Sequence, residues 1–157
     1  MVKTGIGYDV HPLAKGETLI IGGVKIKSPL GSVGHSDGDV LLHAIVDALL
    51  GAANLGDIGQ HFPSSDERWK GKDSIHFLQH AVKLVHDEGF EIDHIDSTVI
   101  LEDPKLADII QEMSQKIAHT LHIDESSVSV KATTTDKMGF IGRGEGVGAV
   151  AVATISK

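Results

Sequence analysis

The sequence predicts an α/β (α+β) sandwich, a mixed β-sheet with helices on one face. Three observations carry that prediction. Strand-like segments rich in Val, Ile, Ala and Thr intermix with segments of helical period along the chain. The length, 157 residues, is that of one domain, so residues 1–157 are read as a single unit. The composition, 41% hydrophobic and 23% charged, is that of a globular protein able to bury a core without staples.

Taken in order, Val2 to Val10 reads as a strand weakened by Gly5 and Gly7. Leu19 to Ile21 and Val24 to Ile26 flank Gly22-Gly23, a hairpin signal. Ser28 to His35, with Pro29, Gly31 and Gly34, reads as loop. A helix is predicted from Ser36 or Asp37 to Ala53, capped by serine or aspartate. Gly56 to Asp73 is the longest irregular stretch and reads as a mobile segment. Ser74 to Glu88 is a helix with Asp73 as cap, Gly89 as stop and Ile75, Leu78, Val82 and Val85 on its apolar face. Ile95 to Glu102 is a strand, and Pro104 opens a helix to Leu121. Val128 to Thr135 and Val147 to Ile155 are strands, joined through the glycine-rich stretch Gly139 to Gly148.

Composition excludes several functions. With no cysteine, disulfides, zinc ribbons and thiol nucleophiles are ruled out. The net charge of −8 argues against a nucleic-acid partner, and no apolar run reaches the ~18 residues of a membrane span. The N-terminus shows no leader pattern, so a cytoplasmic location is expected. Only Arg68 and Arg143 are arginines; a protein so composed that handles phosphates needs metal ions for much of its positive charge.

Four constellations could carry chemistry. Asp9 and His11 lie two apart, so on a strand they point the same way. Asp39, His43 and Asp47 lie four apart on an otherwise apolar helix that should be buried. Two readings stand for that stripe: an internal ion pair of His43 with Asp39 or Asp47, or a metal-binding His43 oriented by a carboxylate behind it. One carboxylate and two imidazoles, Asp9, His11 and His43, match the three-ligand pattern of a catalytic zinc site, though spacing alone does not bring them together. Thr133-Thr134-Thr135-Asp136-Lys137 ends a strand, where ligands of α/β sheets collect, and Asp136 suits magnesium. In Gly139 to Gly148, Arg143 is either an anion contact or part of a surface turn, and no helix follows to complete a dinucleotide fingerprint. His76 and His80 read as a solvated helix face.

In order, Asp9-Val10-His11, His35-Ser36-Asp37-Gly38-Asp39-Val40-Leu41-Leu42-His43, Gly56-Asp57-Ile58-Gly59 with Phe62-Pro63, Pro104-Lys105-Leu106, Thr133 to Lys137 and Gly142 to Gly146 closely resemble the 2-C-methyl-D-erythritol 2,4-cyclodiphosphate synthase family. The resemblance covers essentially the whole chain. It implies a homotrimer with active sites between subunits, and a phosphorus–oxygen lyase of non-mevalonate isoprenoid biosynthesis. The substrate it implies is 4-diphosphocytidyl-2-C-methyl-D-erythritol 2-phosphate, whose 2-phosphate attacks the β-phosphorus and expels CMP.

By match of motif, Asp9, His11 and His43 would hold zinc, and Asp136 magnesium or manganese. His35 and Thr134 would stabilise the transition state. Asp9, Val10, His11, His35 and Ser36, Asp57, Ile58 and Gly59, and Phe62, Pro63, Ser64, Ser65 and Asp66 would contact substrate. Pro104, Lys105, Leu106 and Ala107 would form the cytidine pocket, with Thr133, Thr134, Thr135 and Asp136 beside it. Phe140 and Arg143 match further ligand positions, and the glycine-rich stretch would lie toward a trimer axis able to hold an isoprenoid diphosphate. Two features depart from the pattern: Asp136 stands where glutamate is expected, one methylene longer, and Glu102-Asp103 adds negative charge beside the nucleotide pocket. Two rivals stand beside this reading: a zinc-dependent phosphodiesterase that uses the same ligands, and a non-catalytic trimeric isoprenoid-diphosphate-binding protein that uses Arg143 and the glycine-rich loop.

Overall fold

A computed structural model describes residues 1–157. Its frame is set by a very close approach of one helix to one strand. The strand, β1, runs Val2–Lys15; the helix, α1, runs Val40–Ala53. A Cβ on Gly5 would lie 2.1 Å from the Ala48 carbonyl oxygen, and one on Gly7 would lie 1.8 Å from that of Ala44. Neither distance is possible for non-bonded atoms. The two glycines are therefore the contact surface of β1 rather than its weak points. The helix answers with Ala44, Ala48 and Ala52, four apart, so backbone meets backbone.

Beyond β1, the chain forms the hairpin β2 (Leu19–Ile21) and β3 (Val24–Ile26), as predicted. Its turn residues Gly22 and Gly23 have φ of +62° and +74°, the left-handed values such a turn needs. A short strand β4 (Leu30–Ser32) follows, inside the stretch predicted to be loop. It forms because β1 runs on past Val10 and offers Leu13, Ala14 and Lys15 as antiparallel partners. The remaining elements are α2 (Ile58–His61), α3 (Ser74–Asp87), β5 (Glu91–Ile100), α4 (Ile110–Leu121), β6 (Val128–Thr133), α5 (Gly139–Gly142) and β7 (Gly146–Ser156).

The main sheet has the order β4-β1-β7-β5-β6. It is mixed, as predicted: β7 is antiparallel to β1 and β5, while β6 is parallel to β5. The helices cover the face onto which Val147, Ala149, Ala151, Ala153 and Ile155 of β7 point, all fully buried. The opposite face is open. Val2, Ile6 and Tyr8 are 62–70% exposed there, and Val152, paired with Ile6, is 38% exposed.

Several boundaries differ from the sequence reading, each for a physical reason. Helix α1 begins at Val40 with Asp39 as cap, because Gly38 has φ +71° and breaks any earlier start. Asp73 occupies the cap position of α3 but makes no cap bond; the Ser74 N–H donates instead to Asp37 Oδ2, 2.9 Å away. Pro104 does not open α4. The first helical bond runs from Ile109 N–H to the Leu106 carbonyl, with Leu106 buried against the core, and a 3₁₀ turn at Ala107–Ile109 leads into α4. Gly56 to Asp73 is not one irregular run, since it contains α2 and a 3₁₀ turn at Glu67–Trp69. Phe62 pins it to the core, stacked on Phe77 with ring centroids 4.5 Å apart and edge-on to Trp69 at 5.1 Å. The glycine-rich connection holds the one-turn helix α5. No helix of the chain is long and apolar enough to cross a membrane.

Candidate active site

The glycine–alanine packing register determines what meets what. Gly5 sits on Ala48 and Ala52, and Gly7 on Ala44 and Ala48, so α1 runs antiparallel to β1. One further step along the same face of the strand is Asp9, and it meets His43. Asp9 Oδ2 lies 3.0 Å from His43 Nδ1 and 2.9 Å from His11 Nε2. The two ring nitrogens are 3.1 Å apart.

These three atoms form a nearly equilateral triangle, a group that can hold a metal ion. The edges of a tetrahedron with bonds of 2.0–2.1 Å are about 3.3–3.4 Å, so the donor set fits a small divalent cation with little adjustment. Burial opposes ionisation of Asp9, but hydrogen bonds with His11 and His43 and their charges outweigh it and hold the carboxyl down at about 2. Burial likewise opposes charging of His11, and the Asp9 hydrogen bond and charge outweigh it, raising the imidazole above its ordinary value. With the carboxylate ionised, the group offers a cation one negative charge and two nitrogen donors.

Of the two readings of the Asp39–His43–Asp47 stripe, the ion pair does not form, and His43 instead joins the group able to hold a metal ion. The carboxylate that meets His43 is Asp9. Asp39 is fully buried and accepts backbone N–H groups from Gly22 at 2.9 Å, Gly23 at 2.6 Å and Leu42 at 3.1 Å. It therefore ties the β2–β3 turn to the start of α1. Burial pushes its carboxyl up to about 6 against the pull of those amides, with the Asp37 charge adding to the rise. Asp47 accepts the Ile58 N–H at 2.7 Å and seats α2.

A cavity of about 140 Å³ opens beside the Asp9–His11–His43 group, lined by His11, His35, Ser36, His43, Ile58, Phe62, Ser64, Trp69 and Phe77. His35 Nε2 is buried and has no hydrogen-bond partner in the chain, an uncommon state for a polar atom. Of the other expected contacts in this region, Asp57 caps α2 by accepting the Gln60 N–H at 3.0 Å, and Asp66 is paired with Arg68. Gly59, Pro63 and Ser65 are exposed.

A second cleft, about 320 Å³, is lined by Leu101, Pro104, Lys105, Leu106, Ala107, Ile110, Ala132, Thr133 and Thr134. Thr135 and Asp136 follow on a loop that Glu102 holds: its carboxylate accepts the Thr135 N–H at 3.3 Å and the Lys137 N–H at 3.2 Å. Asp136 and Lys137 have φ of +52° and +62°, values that side chains resist and that this anchoring maintains. A third cavity, about 370 Å³, holds Arg143, which pairs with Glu145 at 2.8 Å. Phe140, 40% exposed, lies on α5.

The first two cavities share no lining residue. Strand register says how far apart they are. Val10 pairs with Gly148, Gly148 with Ile100, and Ile100 with Thr133. One row thus crosses β1, β7, β5 and β6, and its ends are about 14 Å apart at ~4.8 Å per strand. Both sites lie at the same end of the sheet, but this chain does not join them.

Sequence reasoning missed Asp37, Ser74 and Glu102 as supports of the site. His43 Nε2 is 2.9 Å from Ser74 Oγ and 3.1 Å from Ser36 Oγ, and the Ser74 hydroxyl is hydrogen-bonded to Asp37. No spacing rule links residues on separate segments. The small-residue repeat Gly5, Gly7 against Ala44, Ala48, Ala52 was the available signal that Asp9 and His43 meet.

A carboxylate and two imidazoles converging at one end of a mixed sheet, beside an unpartnered histidine, define an α+β protein with a group able to hold a metal ion. Residues 2–156 match the model of the YgbB family, and the chain belongs to that family. It is 52% identical over 156 residues to the 2-C-methyl-D-erythritol 2,4-cyclodiphosphate synthase of Alkaliphilus oremlandii, covering 99% of each chain. The bifunctional IspDF of Campylobacter jejuni superposes with a TM-score of 0.95 at 45% identity, over 99% of this chain and 42% of that one. A CDP complex of IspF from Plasmodium falciparum superposes with a TM-score of 0.86 at 36% identity, over 98% of this chain and 95% of that one.

Proposed function

We propose that this chain, as one domain spanning 1–157, converts 4-diphosphocytidyl-2-C-methyl-D-erythritol 2-phosphate into 2-C-methyl-D-erythritol 2,4-cyclodiphosphate and CMP. The full-length likeness to a synthase of that name supports the reaction, and the CDP complex of a relative supports a cytidine nucleotide in the cleft at Pro104–Ala107. The observation that carries the reading is His35 Nε2, buried and unpartnered beside the Asp9–His11–His43 group.

An oxygen of the 2-phosphate bonds to the β-phosphorus. The bond from that phosphorus to the oxygen bridging to the α-phosphate breaks, and CMP leaves with the bridging oxygen. In class this is a phosphorus–oxygen lyase, and no protein nucleophile takes part. When bound, zinc at Asp9, His11 and His43 and magnesium or manganese at Asp136 supply positive charge to phosphoryl oxygens. The chain's own groups position the two phosphates and stabilise the charge that develops between them. His35 directs a ring nitrogen to a phosphoryl oxygen, Thr134 donates its hydroxyl, and Lys105 and Lys137 add ammonium charge. Asp57, Ile58 and Gly59, with Phe62 to Asp66, enclose the sugar phosphate, and the segment is anchored by Phe62 so that its exposed tip can close.

Two observations support a homotrimer with each site shared between neighbours. The metal-ligand group and the nucleotide cleft stand about 14 Å apart across the sheet, and the exposed stripe of Val2, Ile6, Tyr8 and Val152 needs cover. On this reading Phe140 and Arg143 lie near the trimer axis, where an isoprenoid diphosphate would bind, and the location is cytoplasmic. Phosphorus NMR of the purified protein with substrate, zinc and magnesium tests the reaction. CMP with a cyclic diphosphate is expected; no turnover by folded, metal-loaded protein would remove the catalytic reading and leave the isoprenoid-diphosphate-binding one.

A further inference from the structure

We propose that Ser74, held by Asp37, is the positioning residue that sets the His43 tautomer for metal binding. The inference rests on the reading of Asp9, His11 and His43 as zinc ligands.

Ser74 is the first residue of α3 and is fully buried. Its hydroxyl is hydrogen-bonded to Asp37 Oδ1, and its N–H donates to Asp37 Oδ2. An ionised carboxylate can only accept, so the hydroxyl proton is committed to Asp37. Ser74 Oγ is then left with lone pairs, and it faces His43 Nε2 at 2.9 Å. The imidazole must supply the hydrogen, so Nε2 keeps its proton, and the one shared between Nδ1 and Asp9 is the proton that a cation displaces. Nδ1 is the atom that faces Asp9 and His11.

Asp37 is itself fixed by the backbone around it. Its Oδ1 also accepts the Asp39 N–H at 3.1 Å, and its own N–H donates to the Lys72 carbonyl at 3.2 Å. Ser36 Oγ stands 3.1 Å from His43 Nε2 as a weaker second acceptor. The same carboxylate therefore caps α3 and, through Ser74, orients a ligand on α1. Partners that orient a metal-binding histidine in this way typically contribute about 10–100-fold in metal affinity.

The test is zinc affinity of the folded protein, by competition with a chromophoric chelator, together with the visible spectrum of the cobalt(II) form. Ser74→Ala should bind zinc about 10–100-fold more weakly, with a changed cobalt spectrum. Ser74→Thr, which keeps the hydroxyl, should recover most of the affinity. Asp37→Asn should also weaken binding, by a smaller factor, and it carries the test if Ser74→Ala does not fold. Wild-type affinity and an unchanged cobalt spectrum in folded Ser74→Ala and Asp37→Asn would overturn the proposal while leaving the ligand set intact. Wild-type protein that binds no zinc would overturn the ligand reading and this inference with it.

Discussion

Asp9 Oδ2 and His43 Nδ1 lie 3.0 Å apart although 34 residues separate them in the chain. The contact exists because two glycines of β1 let α1 sit directly on the strand. His43→Ala removes one of the three groups able to hold a metal ion and leaves the Gly–Ala packing untouched. Metal analysis should show zinc lost and activity down by at least about 10³-fold, with the far-UV spectrum retained. Full activity without zinc would remove this group from the reaction.

If each site spans two subunits, defects on opposite sides should complement. His43→Ala and Thr134→Ala, co-expressed, pair at random around a closed ring, and about a quarter of the interfaces regain both wild-type halves. Activity near a quarter of wild type is expected from the mixture, against almost none from either variant alone. Absence of recovery in verified mixed oligomers would mean that each chain carries a whole site.

Glu102 holds two left-handed, non-glycine residues, Asp136 and Lys137, through the Thr135 and Lys137 amides. Glu102→Gln leaves one of those partly exposed amides facing a donor, a loss of about 0.5–1.5 kcal/mol. The rate should fall about tenfold and recover in part at higher magnesium, with zinc content unchanged. An unaltered magnesium response would separate this loop from the chemistry.

Asp39 makes the stability of the metal-free protein depend on pH. Burial raises its carboxyl from 3.8 to about 6 in the folded state. The stabilisation it offers is therefore fully present below about pH 4 and lost as the pH rises through 6. The span corresponds to about 3 kcal/mol at about 1.4 kcal/mol per pH unit. Asp39→Asn removes the titrating group. The stability of that variant relative to wild type should therefore rise by about 3 kcal/mol between pH 4 and pH 7 in denaturant titrations. A difference constant across this range would contradict the buried-carboxylate account.

Much of the architecture was legible because hydrophobic period and turn chemistry agree. The Gly22-Gly23 hairpin, α3 up to its glycine stop and the strand identities of β5, β6 and β7 follow from local pattern. What escaped depends on distant partners. Leu30–Ser32 is a strand only because β1 passes beside it. Gly5 and Gly7 read as weakness from within the strand and become a packing surface only against α1. The stretch after Gly56 looked irregular, yet Phe62 and Trp69 fix it through Phe77, an aromatic contact that no local rule announces.

The site divides in the same way. Asp9, His11 and His43 were recognisable as ligand types, and the resemblance of the whole chain singled them out. The Asp39–His43–Asp47 spacing correctly marked a buried polar stripe but suggested the wrong partners, since helical period cannot see the strand opposite. Ser74 and Asp37 lie on segments whose meeting depends on the capping of α3 by a remote carboxylate, and neither residue type is conspicuous in the sequence.

In the proposed reaction, an internal phosphate oxygen, rather than water, attacks the β-phosphorus. Turnover in ¹⁸O-enriched water, with mass analysis of the methylerythritol product and CMP, tests it most directly. The expected result is a cyclic diphosphate and CMP, neither carrying solvent oxygen. A linear phosphate bearing one ¹⁸O would contradict cyclisation and establish the chain as a metal-dependent phosphodiesterase.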